Sequence, residues 1–291
     1  MVESKEQFLA HIQQIMPELD IREYQLNQDG LINDVVIVNN ELVFRFAKTE
    51  KYAEYMDIEL NILDLVRGRL GVDVPTPTYR NKGVAVYPFL SGEPLNRLDI
   101  LSASEESQTE LAKQLGTFLH GLHSTDFSNA GWEIPGTPAP VTRERWLDIQ
   151  ERVKEKIYPL LLKHQVQWVE KLFASVLDDP TTFEYPKALI HGDLASYHIL
   201  HDPKSGNITG VLDFGVAGIG DAASDLGNLI TTYGESFVSK MAAGYPNMGS
   251  LMKRARFYAQ SIELQWILLG LESGENFWFA AHIGNARDVY G

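Results

Sequence analysis

The segment from Ala188 to Gly215 constrains the fold of this chain more than any other. It opens with the apolar run Ala188-Leu189-Ile190 and passes through the polar loop His191-Gly192-Asp193-Leu194-Ala195-Ser196-Tyr197-His198. It returns to an apolar run at Ile199–His201, turns at Asp202-Pro203-Lys204-Ser205-Gly206, and enters a third run, Ile208–Asp213, followed by Phe214-Gly215. Short apolar runs bounded by turn residues read as buried strands. Asp193 therefore lies on a loop held between strands, and Asp213 ends the strand that follows. This β island must be accommodated in otherwise helical surroundings, because helical apolar spacing recurs around 143–162, 165–177, 222–231, 250–270 and 275–288.

Ahead of residue 90 the pattern differs. Phe8, Ile12, Ile15 and Met16 share a helical face that Pro17 closes. β-type runs follow at Ile21–Gln25, Asp34–Val38 and Leu42–Phe46. The last two join at Asn39-Asn40, side chains that tolerate the positive φ of a tight hairpin. Ile58, Ile62, Leu65, Val66 and Leu70 mark a helix, and two further strands, near Tyr79–Asn81 and Val84–Pro88, turn at Lys82-Gly83. Beyond Gly92 the chain becomes mainly helical. Ser102 with Glu105 predicts a capping box ahead of the stripe Leu111, Leu115, Phe118, Leu119 and Leu122. The fold expected is α+β: a small antiparallel sheet with one internal helix over residues 1–90, then a larger, mostly helical lobe over residues 91–291.

Composition removes several functional classes. The 291 residues carry no cysteine, which excludes disulfides and thiolate chemistry, and a net charge of −14 opposes binding to nucleic acid or an anionic membrane. No apolar run is long enough to span a bilayer, and the first 14 residues do not form a signal peptide. A cytoplasmic protein with neither nucleic-acid nor membrane partners is expected. The chain lacks G-x-x-x-x-G-K-[ST] and G-x-S-x-G, and Gly218-Ile219-Gly220 lacks the third glycine of a dinucleotide fingerprint.

The protein-kinase catalytic loop has the form His-x-Asp-x-x-x-x-Asn, followed later by Asp-Phe-Gly. His191, Asp193, Asp213, Phe214 and Gly215 match it in identity and order, with His198 at the Asn position. Two carboxylates so placed can divide a phosphoryl transfer, one orienting the acceptor hydroxyl and taking its proton, the other holding Mg²⁺ against the nucleotide phosphates. On these residues the chain resembles the antibiotic phosphotransferases, kinase-like enzymes that phosphorylate aminoglycosides or macrolides, through about residues 5–290. The loop His191–Leu200 is most similar to the aminoglycoside 2″- and macrolide 2′-phosphotransferase branches, in which His replaces Asn as a metal ligand. The run Gly210–Asp221 followed by Asp225 is similar to the aminoglycoside branch, which keeps Phe where the macrolide branch tends to have Trp.

The resemblance implies a protein-kinase-like fold, with 1–90 as a nucleotide-binding N-lobe and 91–291 as a helical C-lobe carrying the catalytic loop and acceptor site. It implies Asp193 as catalytic base, Asp213 and His198 as Mg²⁺ ligands, His191 orienting the loop and Asp225 bracing it. His123 and His201 read as structural. Arg45, in Phe44-Arg45-Phe46-Ala47-Lys48, matches the strand lysine that neutralises the nucleotide phosphates, and Glu59 matches its helix partner. Arg in place of Lys leaves Lys48 as an alternative cation. Asn27–Asp34, with Gly30, would cover the phosphates, and the hinge at Tyr87, Phe89 and Leu90 would meet the purine of ATP or GTP.

The reaction implied is Mg²⁺-dependent γ-phosphate transfer to a hydroxyl of an aminoglycoside. The alternatives are a macrolide or a metabolite such as an amino alcohol or sugar, and, outside the enzymes, a non-catalytic nucleotide-binding regulator. Glu235, Glu263, Glu272 and Glu275 are the candidate carboxylates for a cationic acceptor. Phe257, Tyr258, Trp266 and Phe277 are the candidate wall for an apolar one. The late aromatic residues Trp266, Phe277, Trp278, Phe279 and Tyr290 also suit a helix-bundle core. A monomer is expected, whose partners are a nucleoside triphosphate and a small-molecule acceptor.

Overall fold

Asn39 and Asn40 adopt φ of 55° and 53°, the left-handed pair at the centre of a tight turn that the Glu41 amide closes by donating to Val38 O at 2.9 Å. They join β2 (Asn33–Val38) to β3 (Leu42–Ala47) in a register that pairs Val38 with Leu42 and Asn33 with Ala47. In the computed structural model, which describes residues 5–128 and 130–274, this hairpin is the centre of the first of two compact units. With β1 (Tyr24–Asn27), β4 (Tyr79–Asn81) and β5 (Val84–Pro88) it forms an antiparallel sheet of order β1-β2-β3-β5-β4. The strand expected at Ile21–Gln25 begins later, at Tyr24, because Arg22 and Glu23 donate their amides to the Asn39 side chain rather than to a ladder.

Side chains alternate across β3, and the alternation sorts the chemistry of this unit. Phe44 and Phe46 pack with Phe8 and Ile12 of α1 (Lys5–Ile15) and with Val36, Val38, Val84 and Val86. The alternation sends Val43 and Arg45 to the opposite face. The helix α2 (Glu50–Val66) starts at Thr49, whose hydroxyl accepts from the Tyr52 amide, and buries Met56, Glu59, Leu60 and Leu63. A carboxylate within that apolar stripe requires a cationic partner. After β6 (Glu93–Pro94), the unit is completed by a later segment, 199–215. That segment carries the hairpin β8 (Ile199–Asp202) and β9 (Asn207–Val211). The sequence pattern puts this hairpin with residues 91–291. Its edge is instead satisfied in the first unit, where the Val211 amide donates to Asp73 O at 2.9 Å.

The second unit is built from α3 (Arg97–Ser102), α4 (Glu105–His123), α5 (Arg143–Lys156), α6 (Lys163–Leu177), α7 (Ala223–Tyr233), α8 (Glu235–Lys240) and α9 (Met252–Ser273). The N-cap of α4 is Ser104, accepting from the Ser107 amide. The expected cap, Ser102, is instead the last residue of α3 and donates to Leu98 O. The pattern read over 143–162 stops as a helix at Lys156 and gives way to a 3-10 turn at Tyr158–Leu160, since Pro159 has no amide to continue the ladder. Trp146 of α5 is fully buried, edge-on to Phe257 of α9 at 4.7 Å and beside Phe173 of α6. Each such aromatic contributes roughly 2–3 kcal/mol by burial. The strand β7 (Ala188–Ile190) pairs antiparallel with β10 (Gly218–Gly220). No β-branched run announced β10. Glycine is required there, because a Cβ on Gly218 would lie 2.7 Å from Pro135 O. The helix expected at 275–288, with Glu275, Phe277, Trp278, Phe279 and Tyr290, lies outside the described residues.

Candidate active site

In the first unit, Arg45 and Glu59 meet as a two-pronged ion pair. Nη1 donates to Oε1 at 2.6 Å and Nη2 to Oε2 at 2.9 Å, with both side chains buried. Burial opposes the guanidinium charge, but Glu59, aided by Tyr87 and Asp213, outweighs it and holds the Arg45 pKa above its usual value. The forked geometry suits Arg and not Lys. Lys48, the other candidate cation, is engaged elsewhere. Its Nζ donates to Gln28 O at 2.7 Å and sits 3.5 Å from Asp34 Oδ1, which pins the loop between β1 and β2. Gly30 lies in that loop, where a Cβ would come within 2.9 Å of Asn33 O.

Asp213 is exposed and occupies the left-handed region at φ 61°. Its Oδ1 accepts from the Gly215 amide, while the neighbouring Phe214 is buried and anchors the turn. The segment expected to meet a purine, Tyr87–Leu90, is partly committed to the fold. Tyr87 is buried, and burial raises its hydroxyl pKa above the usual 10. Pro88 has no amide proton and the Phe89 amide donates to Glu41 O at 2.8 Å.

In the second unit the catalytic-loop motif is held from below by Asp225. One of its oxygens accepts from the Gly192 amide at 2.8 Å. The other accepts from the His191 amide at 2.8 Å and from His123 Nε2 at 3.0 Å. His123 Nδ1 in turn lies 2.9 Å from the Tyr245 hydroxyl. Complete burial of Asp225 acts to raise its pKa, yet His123 and the His191 amide prevail, and the carboxyl sits below the ordinary aspartate value. Gly192 takes φ +84°, and a Cβ there would lie 2.9 Å from Val216 O. The loop is thus fixed by backbone groups, while Asp193 projects from it exposed, its amide donating to His191 Nδ1. His198 Nδ1 lies 2.7 Å from Asp193 O. A carbonyl only accepts, so a neutral His198 carries its proton on Nδ1 and its lone pair on Nε2.

A cavity of about 510 Å³ in this unit is lined by Gly192 and Asp193 of the loop and by residues of α5 and α9. Ile262, Trp266 and the exposed Leu269 give it an aromatic and aliphatic wall, backed by the buried Trp146, Ile149 and Tyr258. Glu272 also lines it. Glu235 does not; it is half-buried and paired with Arg256 at 2.6 Å. Glu263 is likewise absent from the lining, and Phe257 is buried against Trp146. The lining residues Asp148 and Arg152 were not signalled by the sequence, because one turn apart on α5 they read as an ordinary surface pair. Asp221 was also missed in this sense: it is buried and accepts from Arg254 Nε at 2.6 Å and from the Tyr258 hydroxyl at 3.0 Å, which fixes α9 behind the wall.

The residues expected to hold a divalent cation are Asp213, in the first unit, and His198, in the second. Among the described residues no three or more His, Asp or Glu side chains group to hold a metal by themselves. Mg²⁺ needs no such cage, since it takes one or two protein ligands and completes its shell with phosphate and water. Each expected ligand is of a suitable type taken by itself: the Asp213 carboxylate in the first unit offers the oxygen that Mg²⁺ prefers, and the His198 imidazole in the second is a softer donor.

The sequence profile of the APH phosphotransferase enzyme family matches residues 23–258. The chain belongs to this family. It is an APH phosphotransferase, an enzyme acting on alcohol groups, with the kinase-like fold of its relatives. Viomycin phosphotransferase from Streptomyces vinaceus is 27% identical over 226 residues, covering 74% of this chain and 75% of that protein. The GDP and kanamycin complex of APH(2″)-IIIa is 25% identical, with a TM-score of 0.83 over 97% of both chains. The macrolide 2′-phosphotransferase MphH from Brachybacterium faecium shares the fold at 23% identity, with a TM-score of 0.70 over 94% of this chain and 95% of that one. Among the described residues of this APH phosphotransferase, no helix is long and apolar enough to cross a membrane.

Proposed function

We propose that this phosphotransferase moves the γ-phosphate of ATP or GTP onto a hydroxyl of an antibiotic-sized acceptor with an extended apolar face. The observation that carries the reading is the cavity of about 510 Å³ with Asp193 in its lining and the half-buried Trp266 in its wall, a volume typical of drug-sized ligands. Asp193 orients the acceptor hydroxyl and takes its proton as the bond from that oxygen to the γ-phosphorus forms and the bond from phosphorus to the β,γ-bridging oxygen breaks. Arg45, held charged by Glu59, faces the α- and β-phosphates. Asp213 and His198 would hold Mg²⁺, which supplies neutralisation of phosphate charge. Asp225 keeps the loop in register for the transfer.

Of the acceptors weighed from sequence, a macrolide-type molecule suits the aromatic wall best. An aminoglycoside is the second reading. It is supported by the kanamycin complex of the solved relative and by the presence of Asp148 and Glu272 in the cavity lining. The test is a transfer assay with Mg²⁺ and either ATP or GTP, against erythromycin, kanamycin, gentamicin and a blank. Mass spectrometry then looks for the gain of about 80 Da that one phosphoryl group adds. Nucleotide-dependent phosphorylation of erythromycin is expected. Modification of kanamycin alone would favour the second reading, and no modified acceptor of either kind would overturn the proposal.

A further inference from the structure

The cavity beside Asp193 contains a charge arrangement that phosphoryl transfer does not itself require. Arg152 of α5 donates from Nη1 to Asp148 Oδ2 at 3.0 Å, and from Nε and Nη2 to the two oxygens of Glu272 at 3.0 and 2.5 Å. Lys156 adds a further bond to Glu272 Oε1 at 2.7 Å. Asp148, Arg152 and Glu272 all line the cavity, together with Arg145, whose Nη2 donates to Pro138 O at 2.8 Å. The pair Asp148–Arg152 is an i,i+4 pair with a few tenths of a kcal/mol of local helix value. The contact to Glu272 is different in kind: it comes from α9, far away in sequence, and it is bidentate, the geometry in which Arg binds carboxylate most strongly.

The consequence concerns what the cavity accepts. Among the described lining residues, Asp148 and Glu272 are the carboxylates, besides Asp193, that could receive ammonium groups of an acceptor, and a guanidinium of the protein already pairs with one oxygen of Asp148 and both of Glu272. We infer that Arg152 is a specificity-determining residue that denies Asp148 and Glu272 to polycationic acceptors and tunes the cavity to molecules with an apolar face and few positive charges. This rests on the reading of the cavity as the acceptor site. A polycation entering it must displace a forked, two-partner ion pair. An apolar molecule meets Ile262, Trp266 and the exposed Leu269 and leaves that pair in place.

The experiment measures binding by calorimetry on the full chain, with kanamycin as the polycationic probe and erythromycin as the apolar one, at 50 and 300 mM salt. Arg152→Gln is expected to tighten kanamycin about tenfold at the lower salt, with most of the gain lost at the higher, because one cation is removed within ion-pair distance of two carboxylates. Erythromycin should change less than twofold. Arg152→Lys should keep the wild-type preference, and adding Glu272→Gln to Arg152→Gln should remove the gain. Arg152→Met, which keeps the stem of the side chain, replaces the Gln variant if that variant does not fold. A kanamycin-to-erythromycin affinity ratio that stays put in the Gln or Met variant, or a gain insensitive to salt, overturns the inference. Phosphate transfer is assayed in parallel. Loss of transfer to every acceptor would overturn the phosphotransfer reading alone, since the affinity ratio judges Arg152 without turnover.

Discussion

Asp225→Asn is the perturbation whose size the structure fixes best. The carboxylate is fully buried and accepts from two backbone amides and from His123. An asparagine of the same shape keeps one acceptor oxygen and turns an NH₂ group toward donors. If the oxygen faces the Gly192 amide, the NH₂ opposes the His191 amide and His123 Nε2. If it faces those two, the NH₂ opposes Gly192. Either orientation loses a charge-assisted bond, worth about 1.5–3 kcal/mol, and strands at least one buried donor, costing about 1–3 kcal/mol more. The sum, about 2.5–6 kcal/mol, brackets the roughly 3–5 kcal/mol that breaking a buried charged pair costs. For a chain of this size it corresponds to a melting temperature lower by roughly 10 °C. The pH dependence has a defined sign. The folded carboxyl sits below its ordinary value of 3.8, so its contribution is complete above that pH and is lost as pH falls through the lower folded value. Thermal melts of wild type and variant between pH 3 and 7 should therefore show a gap that is constant near neutrality and closes below about pH 3.8. A loss under 1 kcal/mol, or a gap that widens on acidification, would refute the bracing role assigned to Asp225.

Two further predictions test the nucleotide side. Arg45→Met leaves Glu59 buried without its partner and should cost about 3–5 kcal/mol in denaturant unfolding. Arg45→Lys keeps the charge without the fork and should cost less, while raising the nucleotide KM about tenfold. Asp213→Asn should leave stability within about 0.5 kcal/mol, because the residue is exposed and asparagine tolerates its positive φ. The same variant should weaken Mg²⁺-dependent nucleotide binding tenfold or more by calorimetry, and unchanged binding would remove Asp213 from the metal role.

The parts of this protein legible in the sequence are those whose physics is local. The Asn39-Asn40 turn is written in two residues that accept a left-handed backbone. The His191–Asp193 loop and the Asp213-Phe214-Gly215 turn are contiguous strings whose neighbours are plainly apolar strands. The Arg45–Glu59 pair was legible through the family resemblance and stands in the structure as a bidentate contact. What was not legible depends on chain segments far apart. The cavity wall is made by α5 and α9, about a hundred residues apart, so Trp146 looked like any apolar helix residue and Arg152 like half of a surface pair. Glu235, Glu263 and Glu272 were equivalent as sequence, and only packing distinguishes Glu272, on the cavity, from the other two. The β10 strand escaped because its two glycines make room for close neighbours, the backbone of Pro135 and Thr137 at Gly218 and the side chains of Ile190 and Thr137 at Gly220, a requirement that no local propensity encodes. His123 was read as structural, and its part in holding Asp225 becomes visible only when α4 and α7 are placed together.

The central claim is that Asp193 handles the acceptor proton in a phosphoryl transfer. The most direct measurement compares wild type with Asp193→Asn for nucleotide affinity by calorimetry and for single-turnover transfer to the acceptor that wild type modifies. The substitution is nearly isosteric at an exposed position, so fold and nucleotide binding should be preserved. Transfer should fall by about 10²–10⁴-fold, the range that a positioned general base contributes. Transfer within a few fold of wild type, with nucleotide binding intact, would contradict the account.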